Sequence, residues 1–455
     1  METSLPPREV HRIPGWPIAG SLFPYLRDRL AFLLQAAASG EPVIRFRLDA
    51  PIYLLNDVRD IKHVLDSNYP NYDKTPRLTS QRGRQLSGSG LLTAMGDAHL
   101  AKRRMLQPVF TPARMASFAD DIVKLTDRFT SAWHDGKDID IGEEMPTLAS
   151  AVIGRILYSA DYLNVDRELA DAFVVRRRYI QQIFLSLLPF PELLPTRLRR
   201  QYKSARQVID RSVRARIAER RTDPSRYSDM LTMLAQLRDA DGQPINDADL
   251  FDEAVAIAIT GYETIGEALA WTCYLLTQNP ASHQRLVEEL HEVLNGRPPT
   301  AEDFPKLRYT QMVISESMRI YPPTWIYIRV SREADILPSG VHIPAGARLY
   351  VCPWIIHRDP RQFSDPIRFD PGRFTDAARK DRPKYAYFPF GGGPRICIGQ
   401  SLAKLETTLV LARIFQNFSM ELLPGQKIVA SPGITLSPRN GIRVRTRRRA
   451  PSSRQ

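Results

Sequence analysis

From Val58 to about residue 295, apolar residues recur every three or four positions, which predicts a long run of amphipathic helices. Two short pieces before it, PVIRFRL (42–48) and IYLLN (52–56), have strand character. Pro76, Gly83, Gly88 and Gly90 punctuate residues 71–95, which predicts a long irregular loop. LLPFPELLP (187–195) interrupts the helical pattern with three prolines. Residues 325–352 predict short strands, one more strong helix covers about 398–416, and 418–446 alternates strands with turns. No alternation of strand and helix calls for a doubly wound sheet. The expected fold class is therefore mainly α with small β-sheets (α+β). The expected organisation is a flexible N-terminus over 1–13, one integrated domain over 14–446, and a basic disordered tail over 447–455.

Composition narrows the class. The chain is 43% hydrophobic and 25% charged, as in water-soluble globular proteins. No run approaches the length that spans a bilayer, and METSLPPREVHRIPGW lacks the apolar core of a signal peptide, so no transmembrane anchor is expected. Of the net charge of +13, six positive charges come from Arg443, Arg445, Arg447, Arg448, Arg449 and Arg454, read as a solvated tail. No zinc-finger spacing, basic heptad helix or RNA-binding signature accompanies the charge, which argues against nucleic acid as a partner. Three cysteines, Cys273, Cys352 and Cys397, are too few for a disulfide framework and suit a reducing cytoplasm.

Cys273 and Cys352 lie in apolar runs and read as small buried hydrophobes. Cys397 differs. It sits in FPFGGGPRICIGQSLAKLE (388–406), after three glycines and Pro394 and just ahead of a predicted helix. A helix N-terminus presents free N–H groups and positive partial charge, which favour the thiolate that binds metal. Glycine lets backbone approach a flat ligand closely. Arg395 can offer its charge to an anionic group on that ligand.

A second unusual segment is FDEAVAIAITGYETIGEALAWTCYL (251–275), an almost wholly apolar helix and so a buried one. Within it Gly261 costs about 1 kcal/mol relative to alanine. A buried carboxylate at Glu263 also costs free energy unless partnered. Together with the hydroxyl of Thr264, these costs point to chemistry.

The order Phe390-x-x-Gly393-x-Arg395-x-Cys397-x-Gly399 resembles the haem-binding loop of the cytochrome P450 family, and the resemblance extends over about residues 14 to 440. It implies that fold, with one haem-enclosing domain, and haem b as cofactor. Cys397 would be the axial iron ligand, Phe390 would pack near its sulfur, Gly399 would allow close approach, and Arg395 would pair with a propionate. His99 and Arg103, four apart on one predicted helix face, and Arg329 would add further propionate partners. Glu316, Arg319 and Arg373 resemble the family's structural Glu–Arg–Arg arrangement; alone, an ExxR reads as a surface pair. TGYET (260–264) resembles the oxygen-binding motif. Gly261 would open the helix, Thr264 would hydrogen-bond dioxygen and Glu263 would relay protons from water. Thr260 and Ile265 depart from the motif's usual residues; Thr260 either narrows the pocket or hydrogen-bonds substrate.

The resemblance implies a monooxygenase that hydroxylates or epoxidises a lipophilic small molecule, with terpenoids favoured over steroids, fatty acids and polyketides. Thr260, Thr324, Ile326 and Ile434 are the expected pocket residues, together with the 71–95 and 187–195 segments. Too few residues follow the cysteine loop for a reductase domain, so electrons are expected from an acidic ferredoxin or flavodoxin with its reductase. The expected dock is a basic patch of Lys102, Arg103, Arg104, Arg379, Lys380, Arg382 and Lys384. Two other functions use the same loop: an isomerase or dehydratase that does not activate oxygen, and a haem-based gas sensor.

Overall fold

The computed structural model describes residues 9–17, 19–186, 194–239 and 241–449, so most of the 187–195 segment lies outside the described residues. They fall into two compact units, each assembled from two stretches of chain.

The first unit comprises residues 1–79 and 318–397. Its frame is a six-stranded sheet in the order His11–Arg12, Val43–Arg47, Pro51–Leu55, Arg348–Val351, Tyr327–Ser331, Tyr72–Lys74. The first pair and the central pair, Pro51–Leu55 with Arg348–Val351, are parallel; the others are antiparallel. Both predicted early strands are present, and Val43, Ile44, Ile52, Leu54, Leu55, Leu349 and Val351 are buried along them. Antiparallel pairing sets Lys74 beside Arg329. The last strand is anchored by Asp335, whose Oδ2 accepts from Tyr72 Oη (2.6 Å), His63 (2.8 Å) and Asn68 Nδ2 (2.9 Å). His11 and Arg12 form a strand, so chain order begins earlier than the flexible segment 1–13 expected from the prolines.

The second unit comprises residues 80–317 and 398–455. Its axis is the helix Asp247–Gln278, somewhat longer at both ends than the apolar run alone suggested. Asn246 caps it by accepting from Asp249 N (2.8 Å). The helix Ile141–Tyr158 lies against it at glycine distance: a Cβ on Gly266 would come within 2.4 Å of Pro146 Cα. The other major helices are Arg167–Leu185, Arg197–Thr222 and Gln400–Asn417. A three-stranded sheet has Arg443–Arg448 at its centre, between Phe418–Leu422 and Asp138–Asp140. The strand runs through Arg448, two residues past the expected domain end at 446, while residues 450–455 of the expected tail lie outside the described residues. Arg445 pairs with Asp138 (2.7 Å), Arg447 with Glu421 (3.2 Å), and Arg449 N donates to Asn417 O (2.9 Å). Cross-strand acids neutralise a basic run that looks solvated when read alone.

The loop expected over 71–95 is also corrected. It contains the strand Tyr72–Lys74 and the helices Pro76–Thr79 and Gln81–Ser87. Within the second unit, Gly88–Leu91 is tied to the long helix. Asp252 accepts from Ser89 N (2.7 Å), and Glu253 accepts from Leu91 N with both oxygens (2.9 and 3.0 Å). Carboxylates supplied from elsewhere in the chain give order to a glycine-rich stretch with little packing of its own.

Candidate active site

The cysteine loop closes on itself. Cys397 N donates to Phe390 O (2.9 Å), Gly391 N to Phe388 O (3.0 Å) and Ile396 N to Gly393 O (3.1 Å). Gly393 has φ +61°, and a Cβ there would lie 1.9 Å from Leu65 O, so only glycine fits. Tyr327 Oη donates to Pro389 O (2.9 Å), and burial together with the Cys397 sulfur raises this phenol's pKa. Cys397 itself is exposed, whereas Cys273 and Cys352 are buried, as their apolar settings predict.

A buried scaffold holds this loop. Arg319 is fully buried, and its Nη1 donates to His357 O (2.7 Å) and Pro366 O (2.6 Å). His357, also fully buried, accepts from Phe388 N at Nε2 (3.0 Å). Burial, reinforced by Arg319 and Arg358, drives the imidazole pKa well down, so it stays neutral and keeps that lone pair. Arg373 Nη2 donates to Asp365 O (2.9 Å). Glu316 is fully buried too, so the ExxR is not the surface pair that it resembles in isolation. His357 was not identified from the sequence; nothing in IIHRDP marks it.

Beside this loop lies a concentration of positive charge. Arg329 is buried, and its pKa is pushed down to about 10 by burial and then by Arg395. Lys74 is pushed down to about 7 by burial, then by Arg395 and Arg329. Arg395 is itself lowered, chiefly by burial. Three cations gathered in one partly buried place are costly, and a ligand bearing carboxylates offsets that cost. The two carboxylates of haem b match this donor set. Arg329 and Arg395 were expected here; Lys74 was missed, although its register opposite Arg329 follows once the strand pairing is known.

In the second unit, His99 is buried and Arg103 half-buried on the helix Gly96–Leu106. In the middle of the helix Asp247–Gln278, Ile257, Ile259, Thr260, Gly261 and Thr264 are not fully buried, and four of them, Ile257, Thr260, Gly261 and Thr264, fall on one face. Their spacing makes one continuous stripe. Thr260 Oγ1 donates to Ala256 O (2.8 Å) and Thr264 Oγ1 to Thr260 O (3.2 Å). The helix is continuous through Gly261, and a Cβ there would come within 3.1 Å of Ile153 Cδ1. Glu263 is buried on a neighbouring face, with one carboxylate oxygen held twice. Its Oε1 accepts from Arg177 Nη1 (2.8 Å) and Thr435 Oγ1 (2.7 Å). Arg177 also reaches Gln181 Oε1 (3.2 Å). Arg177 was not singled out from the sequence, because nothing local marks it; Thr435 lies next to the expected pocket residue Ile434, but its bond to Glu263 was not foreseen.

Of the expected pocket residues, Thr324 and Ile326 are half-buried and Ile434 is 41% exposed. Lys102 leaves the expected docking patch: its Nζ lies 2.6 Å from Asp249 and 3.7 Å from Glu253. Lys384 pairs with Asp66 (3.1 Å), while Arg104, Arg379 and Lys380 remain exposed.

A cysteine loop beside clustered cations, and an acid–alcohol pair on a long buried helix, define a haem-thiolate oxygenase class. The family model for cytochrome P450 matches residues 11–443, and the chain belongs to that family. It is a P450 monooxygenase with haem b as cofactor. It is 33% identical to cyclooctatin synthase of Streptomyces melanosporofaciens over 432 residues, covering 93% of this chain and 92% of the relative. It is 32% identical to cyclooctat-9-en-7-ol 5-monooxygenase of the same organism, covering 90% and 89%. Pentalenene oxygenase of Streptomyces avermitilis is 30% identical, covering 96% of each chain. The fold matches the crystal structure of the cytochrome P450DA haem domain with a TM-score of 0.89 at 21% identity, over 99% of this chain and 100% of that one. Among the described residues, no helix is long and apolar enough to cross a membrane.

Proposed function

We propose that this monooxygenase hydroxylates or epoxidises a terpenoid, with electrons delivered by a separate acidic ferredoxin or flavodoxin. The observation that carries the oxygenase chemistry is the buried Glu263, held by Arg177 and Thr435 one residue before the accessible Thr264. Terpenoid substrates are supported by the names of three relatives, cyclooctatin synthase, cyclooctat-9-en-7-ol 5-monooxygenase and pentalenene oxygenase. The mostly apolar character of the expected lining residues agrees with a lipophilic guest.

In this reading Cys397 supplies the thiolate ligand, and Lys74, Arg329 and Arg395, with His99 and Arg103, bind the propionates. Bound haem supplies the iron at which dioxygen is reduced and split. The protein's own part is proton delivery and substrate placement. The Thr264 hydroxyl, bonded to Thr260 O at rest, turns to donate toward the reacting oxygen. Glu263 resupplies that hydroxyl with a proton from water, and Arg177 and Thr435 fix which carboxylate oxygen is available. Thr260 shapes the pocket with its methyl, because its hydroxyl proton is used by Ala256 O.

The ferrous–CO spectrum should show the thiolate-type band in the wild type and lose it in Cys397→Ala. With a terpenoid that shifts the spin state on binding, Thr264→Ala should keep consuming reductant while product per electron falls at least about tenfold, within the range of general acid–base contributions. Unchanged product yield in Thr264→Ala would remove the assignment. Turnover that is indifferent to ionic strength would remove the acidic redox partner, since steered encounters between charged surfaces are screened by salt.

A further inference from the structure

One turn beyond Glu263 on the same helix stands a second acid, Glu267, that the mechanism above does not use. It is 5% exposed, and among the described residues its Oε2 has no hydrogen-bond partner. Residues four apart on a helix are neighbours, so its carboxyl and that of Glu263 lie on one face. Two charged groups act on Glu267: Glu263 from its own helix, and Arg177 from the helix Arg167–Leu185. Arg177 acts on both acids. The other elements packed here bring neutral groups. The helix Ile141–Tyr158 brings Pro146 against Gly266 and Ile153 against Gly261, and the turn before Leu436 brings the Thr435 hydroxyl.

The charge count then decides the protonation state. Two buried carboxyls share one guanidinium. A second buried negative charge beside the first has no cation of its own, so one proton stays on the pair. Glu263 holds the ion pair with Arg177, and the proton resides on Glu267. Burial and Glu263 both raise the Glu267 pKa well above the ordinary carboxyl range.

We propose that Glu267 is a built-in proton store for Glu263, a positioning residue that supplies the oxygen-side acid from within the helix. In the transfer, the O–H bond at Glu267 breaks and an O–H bond forms at Glu263, directly or through one water. The negative charge moves one turn along the helix while staying beside Arg177. Glu263 passes this proton on to the Thr264 hydroxyl and is again the ionised partner of Arg177, and a proton from bulk solvent, carried by water, returns Glu267 to its protonated resting state. No oxidant or further reactant is needed, because a proton alone moves.

The first test reads protonation alone and does not depend on the proposed substrate or turnover. Infrared spectra of the resting holoenzyme at pH 7 in H2O and D2O should show a protonated-carboxyl carbonyl band that shifts on deuteration. Subtracting the spectrum of Glu267→Gln isolates this band from those of other buried acids, among them Glu406 and Glu316. A difference spectrum without such a band overturns the proposal. The second test rests on the monooxygenase reading. In Glu267→Gln, with an intact ferrous–CO spectrum, kcat should fall several-fold with KM unchanged, the solvent isotope effect on kcat should rise, and Glu267→Asp should recover part of the rate. An isotope effect and pH profile identical to the wild type in a folded Glu267→Gln would overturn it. If the wild type makes no product, the infrared result still decides whether the store exists.

Discussion

Replacing Lys74 gives a graded test of how the cation cluster binds its cofactor. Burial, Arg395 and Arg329 push the Lys74 pKa down to about 7. A carboxylate placed against it reverses that balance and raises its pKa. Between about pH 7 and the raised value, binding the cofactor therefore takes up a proton. Haem affinity should fall with rising pH in that window, by up to about tenfold per pH unit, or about 1.4 kcal/mol. Lys74→Met removes the titrating group. It should flatten the slope and, below pH 7, weaken binding by about 1.5–3 kcal/mol, the worth of a hydrogen bond to a charged group. Lys74→Arg should flatten the slope while retaining most of the affinity, since guanidinium stays charged throughout. The assay is the rate of haem transfer from the holoenzyme to an excess of a haem-scavenging protein at pH 7, 8 and 9. A wild-type slope that persists unchanged in Lys74→Met would show that the cluster does not act through this residue.

Gly393→Ala combines a left-handed backbone with a Cβ 1.9 Å from Leu65 O, so it should destabilise the protein by about 2–5 kcal/mol and lower haem content, measured by denaturant unfolding and haem-to-protein ratio. Arg319→Met strands the carbonyls of His357 and Pro366, so unfolding should show a loss of about 3–5 kcal/mol even though the residue touches no reacting atom. His283 accepts from Arg449 Nη2 (2.9 Å), and burial and that arginine lower its pKa to about 4. The unfolded state therefore binds the extra proton between about pH 4 and 6.5. Stability should rise with pH across that window, and His283→Gln should remove this component from the urea midpoint profile.

What could be read from the chain alone follows the range of the interactions. The cysteine loop, the long helix and the early strands are local patterns, and each appears where the residues place it. The Cys397 loop carries its own turn chemistry in Gly391, Gly393 and Pro394. The residues that finish the site come from far along the chain. Arg177 is 86 positions from Glu263, and Thr435 is 172. Neither bond leaves a mark in the local sequence, so periodicity cannot find it. The reverse error has the same cause. Residues 71–95 read as loop because Asp252, Glu253 and Asp335, which organise parts of that segment, lie more than 150 positions away. The basic run 443–449 read as tail because Asp138 and Glu421 are invisible locally.

The strand Arg443–Arg448 lies at the centre of its sheet, with Phe418–Leu422 on one side and Asp138–Asp140 on the other. Displacing this one strand would therefore expose unpaired backbone on two others at once, and open strand edges invite pairing between chains. The same central position that holds the sheet together makes this strand its guard against self-association.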